Sequence, residues 1–251
     1  MTRPATTATR LIRAADRHHW ANEWLDSRQS FPATGNYDLF GNAHGVLLVS
    51  NDDVVAAGEG LDAHQHRNTE ILTWVVEGAV AHKDSRGHRE VLHPGTLGYM
   101  RAGRGITHSE GNAATRSEGR RVRVVQMWVA PDTDGLPPDH ADRDFTAALA
   151  PGGPVVVASG LARHQGSAAL VIANRFAALH VARPQPGRPV RLPDAPFGHL
   201  FVVGGPVEVE GIGTLYDGDA LRTIDAGELT VTAAEPGAEV LYWEMHASFG
   251  L

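Results

Sequence analysis

The sequence predicts an all-β fold of two antiparallel β-barrels in tandem, on three observations. Short runs of β-branched and aromatic residues recur with turn signals roughly every ten residues, the rhythm of sandwiches and barrels. Gly (28) and Pro (15) are abundant in 251 residues, which favours many turns over long helices. A Pro-rich break from Pro131 to Asp139 separates two series of similar length. The division that follows is an N-terminal barrel over residues 1–135 and a C-terminal barrel over residues 136–251.

Taken in order, the first ten residues are polar and read as a loose arm. Trp20, Trp24, Phe31, Tyr37 and Phe40 then punctuate a stretch without clear period, expected to be a loop-rich strap across the barrel. Gly45 to Ser50 reads as a buried strand, with Asn51-Asp52-Asp53 as the turn after it. Glu70 to Val76 and Ala79 to Asp84, joined at Glu77-Gly78, read as a hairpin. Val91 to Gly95 and Thr96 to Met100 continue the meander, and Val122 to Val129 closes it. In the second series, strands are expected near 154–159, 168–174, 176–183, 189–192, 198–203, 206–210, 219–224, 228–233 and 238–244.

Composition narrows the function classes. The chain is long enough for a full core, and its apolar (42%) and charged (20%) fractions are ordinary for a globular protein. A net charge of −7 argues against direct nucleic-acid binding or an anionic membrane surface. There is no cysteine, which removes disulfides, thiolate metal sites and Cys nucleophiles and fits a cytoplasmic protein. No apolar leader and no run long enough to span a bilayer is visible, so neither secretion nor a membrane is expected. Arg101, Arg104, Arg120, Arg121 and Arg123 read as a solvated rim near the candidate site.

The chemistry concentrates in His64-Gln65-His66 and His108-Ser109-Glu110. Residues two apart on a strand share a face. Two such pairs on facing strands would offer three imidazoles and a carboxylate to one point, which is a metal site. The second half has no such pair, and its His164, His180, His199 and His246 read as surface or satisfied histidines.

The context sharpens this. Gly58, His64-x-His66 and Glu70, then His108 and Asn112, with Pro94-Gly95 between, match the spacing of the two cupin motifs. The run from His64 to Gly78 and the run from Ala102 to Glu110 resemble the signature of the pirin family. The resemblance extends to Asp26-Ser27, Asn51-Asp52-Asp53 and Gln126-Met127-Trp128, dense in the first half and by pattern only in the second. It implies a bicupin with a metal in the N-terminal barrel alone, and by position its ligands fall on His64, His66, His108 and Glu110. Two departures bear on the pocket: Gln65 stands where relatives usually carry Pro, and Arg28-Gln29 replaces an aromatic and a His.

Glu70 has the parity of His64 and His66 and is a ligand position in other cupins, so it reads as a ligand or as a group behind one. Three imidazoles and a carboxylate suit Fe(II), Zn, Ni, Mn, Co or Cu. Two positions left open on an octahedral ion, with no Cys ligand, favour Fe(II). Family members include quercetin 2,3-dioxygenases. The resemblance thus implies a dioxygenase that cleaves a flavonol such as quercetin with O₂ and releases carbon monoxide, Glu110 serving as ligand and base. Two other readings compete: a metal-bearing regulatory protein that binds a protein partner without turnover, and another cupin reaction on a sugar or small metabolite. The pocket wall discriminates, since a flat aromatic needs an apolar slot, for which Trp20, Trp24, Phe31, Phe40, Tyr99 and Met100 are the candidates.

Overall fold

The computed structural model describes residues 7–32, 38–167 and 169–249; Tyr37 lies outside them. The strands of the first half are β1 (Ala8–Ile12), β2 (His18–Ala21), β3 (Leu25–Gln29), β4 (Leu47–Val55), β5 (Gly60–His66) and β6 (Glu70–Glu77). They continue with β7 (Val80–Asp84), β8 (Arg89–Leu92), β9 (Thr96–Arg101), β10 (Ile106–Asn112), β11 (Val122–Val129) and β12 (Asp139–Asp144). The second half begins with β13 (Val155–Ser159), β14 (Leu170–Val171), β15 (Ala177–Ala182), β16 (Val190–Leu192) and β17 (Phe197–Gly204). It ends with β18 (Val207–Val209), β19 (Gly213–Leu215), β20 (Ala220–Ile224), β21 (Leu229–Ala233) and β22 (Glu239–Met245). Two single-turn helices, Leu39–Asn42 and Thr146–Leu149, are the only α-helices among the described residues.

Each half is a large sheet packed on a small one. The first pairs β12-β9-β6-β11-β4-β3-β2 with β5-β10-β7-β8, and the second pairs β1-β20-β17-β22-β15-β13-β14 with β16-β21-β18-β19. Strand for strand the two orders correspond. They also reveal an exchange that crosses the division drawn at 135/136. Strand β1, expected to be part of a loose arm, pairs antiparallel with β20 along its whole length, from Ala8↔Ile224 to Ile12↔Ala220. Strand β12, just past the Pro-rich linker, turns back and pairs with β9 of the first barrel, His140 opposite Met100. Each barrel therefore takes its edge strand from the other side of the sequence division.

The large sheets face each other across one core. Phe31, Leu47, Leu72, Trp74 and Met127 from the first half pack with Leu179, Phe201, Leu241 and Trp243 from the second, all buried. Polar bonds cross the same seam: the Trp74 indole N–H donates to Glu239 (2.7 Å) and that of Trp243 to the Met127 sulfur (3.2 Å). Inside the second barrel lies one continuous apolar core that includes Leu192, Leu200, Val209, Leu229, Val231 and Tyr242. Inside the first, apolar packing is split. Val75, Val80, Leu92, Val122 and Val124 form one cluster, and Ile71, Met100, Ala102 and Ile106 another. Buried polar residues, among them Thr73, His82 and His108, occupy the interior as well.

Two further expectations are corrected. Of the strap expected between Trp20 and Phe40, the first part is largely strand, β2 and β3, which extend the large sheet through β4. Asn51-Asp52-Asp53 is no turn; it continues β4, opposite Gln126, Val125 and Val124 of β11. Within this run Asp52 is held by Arg123 through two bonds of 2.8 and 2.9 Å, while Asn51 Oδ1 and Asp53 Oδ1 are buried without a partner. Burial pushes the Asp53 carboxyl up to about 7 despite a hydrogen bond from Ser27. Val122–Val129 coincides with the expected strand, whereas β19 has no counterpart among the expected ones.

Candidate metal centre

The three histidines meet on two neighbouring strands of the small sheet rather than on facing ones. β5 and β10 run antiparallel with His108 directly opposite His64 and Ile106 opposite His66. A bulge follows, since the next pair is Glu110 with Leu61, and it turns the end of β10 relative to β5. Glycine allows the close crossing there: a Cβ on Gly60 would collide with the Gly111 Cα and the Glu110 carbonyl. Ring centroids lie 4.8 Å apart for His64–His66, 4.5 Å for His64–His108 and 5.0 Å for His66–His108. One ring nitrogen of each falls within 4.8 Å of the others.

The state of these nitrogens is what a cation needs. His64 Nδ1 lies 2.7 Å from the Asp62 carbonyl, so it carries the proton and leaves Nε2 as a lone pair. His66 Nε2 and both ring nitrogens of His108 are buried with no hydrogen-bond partner. Buried polar atoms are rarely left so unless something unseen satisfies them. Burial, aided by the neighbouring histidines and opposed by Glu110, holds His66 and His108 down at about 4, so both rings are neutral near pH 7. The donor set therefore fits a divalent transition-metal ion.

Glu110 stands beside this group but is aimed differently. Its carboxylate groups with His82 and His108 rather than with His64 and His66. Oε2 accepts 2.7 Å from the Gln126 amide, whose oxygen in turn accepts from the Trp128 indole at 3.0 Å. Oε1 has only long contacts, 3.5 Å from the Thr73 hydroxyl and from His82 Nδ1. Burial raises the Glu110 carboxyl, but the hydrogen bond from His82, the adjacent His108 ring and the bond from Gln126 outweigh it and hold it below the usual carboxylate range. Gln126, Trp128, Thr73 and His82 were not read as site residues. Only the alternation Val80, His82, Asp84 on β7, buried at every second position, carried a signal for His82.

Glu70 is not at the centre. It is fully buried and accepts from the Tyr99 hydroxyl (2.6 Å) and from the backbone N–H of Ala173 (2.7 Å) and Asn174 (3.0 Å) in the second half. Parity fails because β5 and β6 belong to different sheets. The chain turns between them at Asn68, in the left-handed region at φ 49°. Asn112 likewise serves the fold, its side chain bonding the Val55 and Arg120 carbonyls and the Ala114 N–H.

The second barrel has no such centre at the matching places. Aligned on the turn glycines Gly78 and Gly205, His64, His82, His108 and Glu110 correspond to Leu192, Val209, Leu229 and Val231, all buried in its apolar core. Its histidines are not all alone, however. Glu244 accepts from His180 (2.9 Å), His246 (2.5 Å) and Arg163, and His164 bonds Ser159.

Of the candidates for a pocket wall, Phe31, Tyr99 and Met100 are core, and Phe40 is exposed against Phe249. Trp24 does line a cavity of about 40 Å³ with Leu25, Val55, Leu61 and Val124, and Glu110 and Gln126 reach into it. The same Trp24 borders a broad cleft of about 970 Å³ along the small sheet. Of the five arginines, Arg104 lines the cleft by His66, while Arg101, Arg120 and Arg123 are held in ion pairs.

The pirin family model matches residues 10–129. A Mycobacterium tuberculosis protein named "Putative quercetin 2,3-dioxygenase" is 45% identical over 245 residues, 98% of each chain. The chain belongs to the pirin family. An Escherichia coli protein named quercetin 2,3-dioxygenase is 40% identical over 137 residues, 55% of this chain and 58% of that one. Among solved structures, the bacterial pirin YhhW of E. coli in complex with nickel(II) superimposes with a TM-score of 0.84 at 28% identity. That match covers 96% of this chain and all of YhhW. These likenesses and the paired sheets make this pirin an all-β protein of the cupin fold, with barrels in tandem. Among the described residues no helix is long and apolar enough to cross a membrane.

Proposed function

We propose that this pirin is a metal-dependent dioxygenase cleaving a flavonol such as quercetin with O₂ and release of carbon monoxide. We assign its single catalytic ion, Fe(II) in the first instance, to His64, His66 and His108, with Glu110, which here groups with His108 and His82, as the fourth ligand. The observation that carries the reading is the convergence of three imidazoles, with buried nitrogens of His66 and His108 unpartnered, next to a positioned carboxylate. The names of its relatives point to the same substrate class, and a nickel(II) complex of YhhW supports a divalent ion in this family.

When bound, the ion acidifies a coordinated hydroxyl and gives O₂ a redox partner. The chain's own residues do the rest. Gln126 pins Oε2 of Glu110 and leaves Oε1 without a short bond, so Oε1 is the atom that takes the proton of the flavonol 3-hydroxyl. Held below the usual carboxylate range, Glu110 is ionised at neutral pH and so has a free lone pair for that proton. The apolar walls beside it, Leu25, Val55, Leu61 and Val124, suit an aromatic ring and exclude water. At about 40 Å³ the slot is smaller than a flavonol, and Trp24 and Leu61, which also border the wide cleft, are the apolar side chains whose movement would join the two.

The test is anaerobic loading of the stripped protein with Fe(II), then quercetin and air, following loss of the flavonol band and release of carbon monoxide. Turnover should require Fe(II) and vanish in His64→Ala/His108→Ala. Stoichiometric metal binding with no turnover of any flavonol would overturn the dioxygenase reading in favour of a binding role.

A further inference from the structure

A second group of ligating side chains lies one imidazole away from the first. His82 on β7 and Glu90 on β8 are directly opposite in the sheet register and so share a face. His140 on β12 reaches over from the edge of the large sheet, and its Nε2 lies 2.5 Å from Glu90 Oε1. One ligand atom of each of the three falls within 4.8 Å of the others. The His82 side chain is 3% exposed, and its Nε2 has no hydrogen-bond partner. The three residues line a cavity of about 10 Å³ together with Glu110, Tyr99 and Met100. That is room for about one water-sized particle.

We propose that His82, Glu90 and His140 form a second divalent-cation site, of zinc type, distinct from the His64/His66/His108 centre. Two imidazoles and one carboxylate are a common three-residue donor set for Zn²⁺, with water as the fourth ligand. The cavity, with room for about one such particle, is where the ion would sit. The close Glu90–His140 contact is what the pair does with a proton; an ion replaces that proton, and the two ligand atoms part to the roughly 3–3.5 Å separation that bonds of about 2.0–2.2 Å require. His82 Nδ1 already faces Glu110, so Nε2, on the other side of the ring, is the nitrogen free for this ion. The site also has a structural meaning. Its ligands come from β7 and β8 of the small sheet and from β12, the strand that arrives from beyond the linker, so the ion would fasten the exchanged strand to the first barrel.

The experiment counts zinc per chain after chelator stripping and equilibrium dialysis against micromolar Zn²⁺, with circular dichroism as the fold control. Wild type is expected to hold two ions, and Glu90→Ala/His140→Ala one. Because the alanine pair removes a contact between strands, Glu90→Gln/His140→Gln repeats the measurement with the packing kept. The variant His64→Ala/His66→Ala, which leaves His82, Glu90 and His140 untouched, is also expected to hold one. A Glu90/His140 variant that binds as many ions as wild type overturns the second site. So does a wild type holding a single ion that is lost in His64→Ala/His66→Ala, an outcome that leaves the first centre intact. If His64→Ala/His66→Ala keeps the wild-type count while the Glu90/His140 variants lose one ion, the second site stands and the first centre falls.

Discussion

His64 shows how little is needed to prepare a ligand: one bond from Nδ1–H to the Asp62 carbonyl decides which nitrogen is left for an ion. His66 and His108 are prepared by burial instead. These residues were legible in the sequence because alternation on a strand is a rigid rule. Their support was not. Gln126 and Trp128 sit in an apolar strand whose pattern says only that it is buried, and their hydrogen bonds to the site depend on a register set by distant pairing. Glu110→Gln removes the proton acceptor and keeps the shape. We expect it to lower kcat/KM on quercetin by about 10²–10⁴-fold while metal still binds, as steady-state kinetics beside a metal count would show. Wild-type turnover would remove the base role. A second residue-scale prediction concerns His44, whose Nε2 bonds the Gly198 (2.9 Å) and Thr223 (3.2 Å) carbonyls of the second barrel. Burial, with the Arg222 charge, lowers it from 6.5 to about 4 against the pull of those two bonds. The unfolded chain therefore takes up a proton near 6.5 while the native protein resists until about 4. The stabilisation is whole above 6.5 and is lost as pH falls to about 4, at most about 3 kcal/mol. Urea unfolding of metal-free protein at pH 7.5 and 5 should show a loss to which His66, His108 and His199, also lowered by burial, contribute, and His44→Gln, which keeps a donor and does not titrate, should reduce it by the share of one group.

Among the elements, the places where pattern misled share a cause. A period-2 argument holds within one strand and stops where the chain turns, so Glu70 was carried across Asn68 to the wrong face. On β6 the residues that look into the barrel are Ile71, Thr73 and Val75, while Leu72 and Trp74 face the other half. Asn51-Asp52-Asp53 misled in the opposite sense, since three polar residues in a row are a turn signal unless cations on other elements partner them. Arg123 and Arg17 do so for Asp52. Glu70 then yields a clear expectation. Glu70→Ala leaves the Tyr99 hydroxyl, the buried Asn174 amide and the half-buried Ala173 amide without an acceptor, at a cost of about 3 kcal/mol. Metal content should not change. Chemical denaturation and a metal count on the same preparation check both halves, and loss of metal in the folded variant would put Glu70 back at the centre.

Across the whole molecule, the tandem rhythm was readable because both halves repeat short strands and turns, but strand ownership was not. Nothing in the composition of Ala8–Ile12 or Asp139–Asp144 says which edge each will cover, because an edge strand is chosen by long-range pairing. The exchange has a mechanical consequence. Cutting the chain at 135/136 gives one piece carrying β1 but lacking β12 and another lacking β1, so each barrel loses an edge strand. Each piece also bares the apolar face of its large sheet, where Trp74 and Trp243 meet the other half. We expect the intact protein to unfold in a single transition, coincident by tryptophan fluorescence and far-ultraviolet circular dichroism. Residues 1–135 and 136–251 expressed apart should be insoluble or expanded, and should recover native spectra only when refolded together. Removing residues 1–12 alone tests the exchange more gently. It uncovers the edge of β20 and should lower the melting temperature, whereas an unchanged melting curve would mean that β1 contributes little to the second barrel. Two pieces that fold independently, each with a native-like spectrum, would show that the shared core and the exchanged strands do not bind the halves into one cooperative unit.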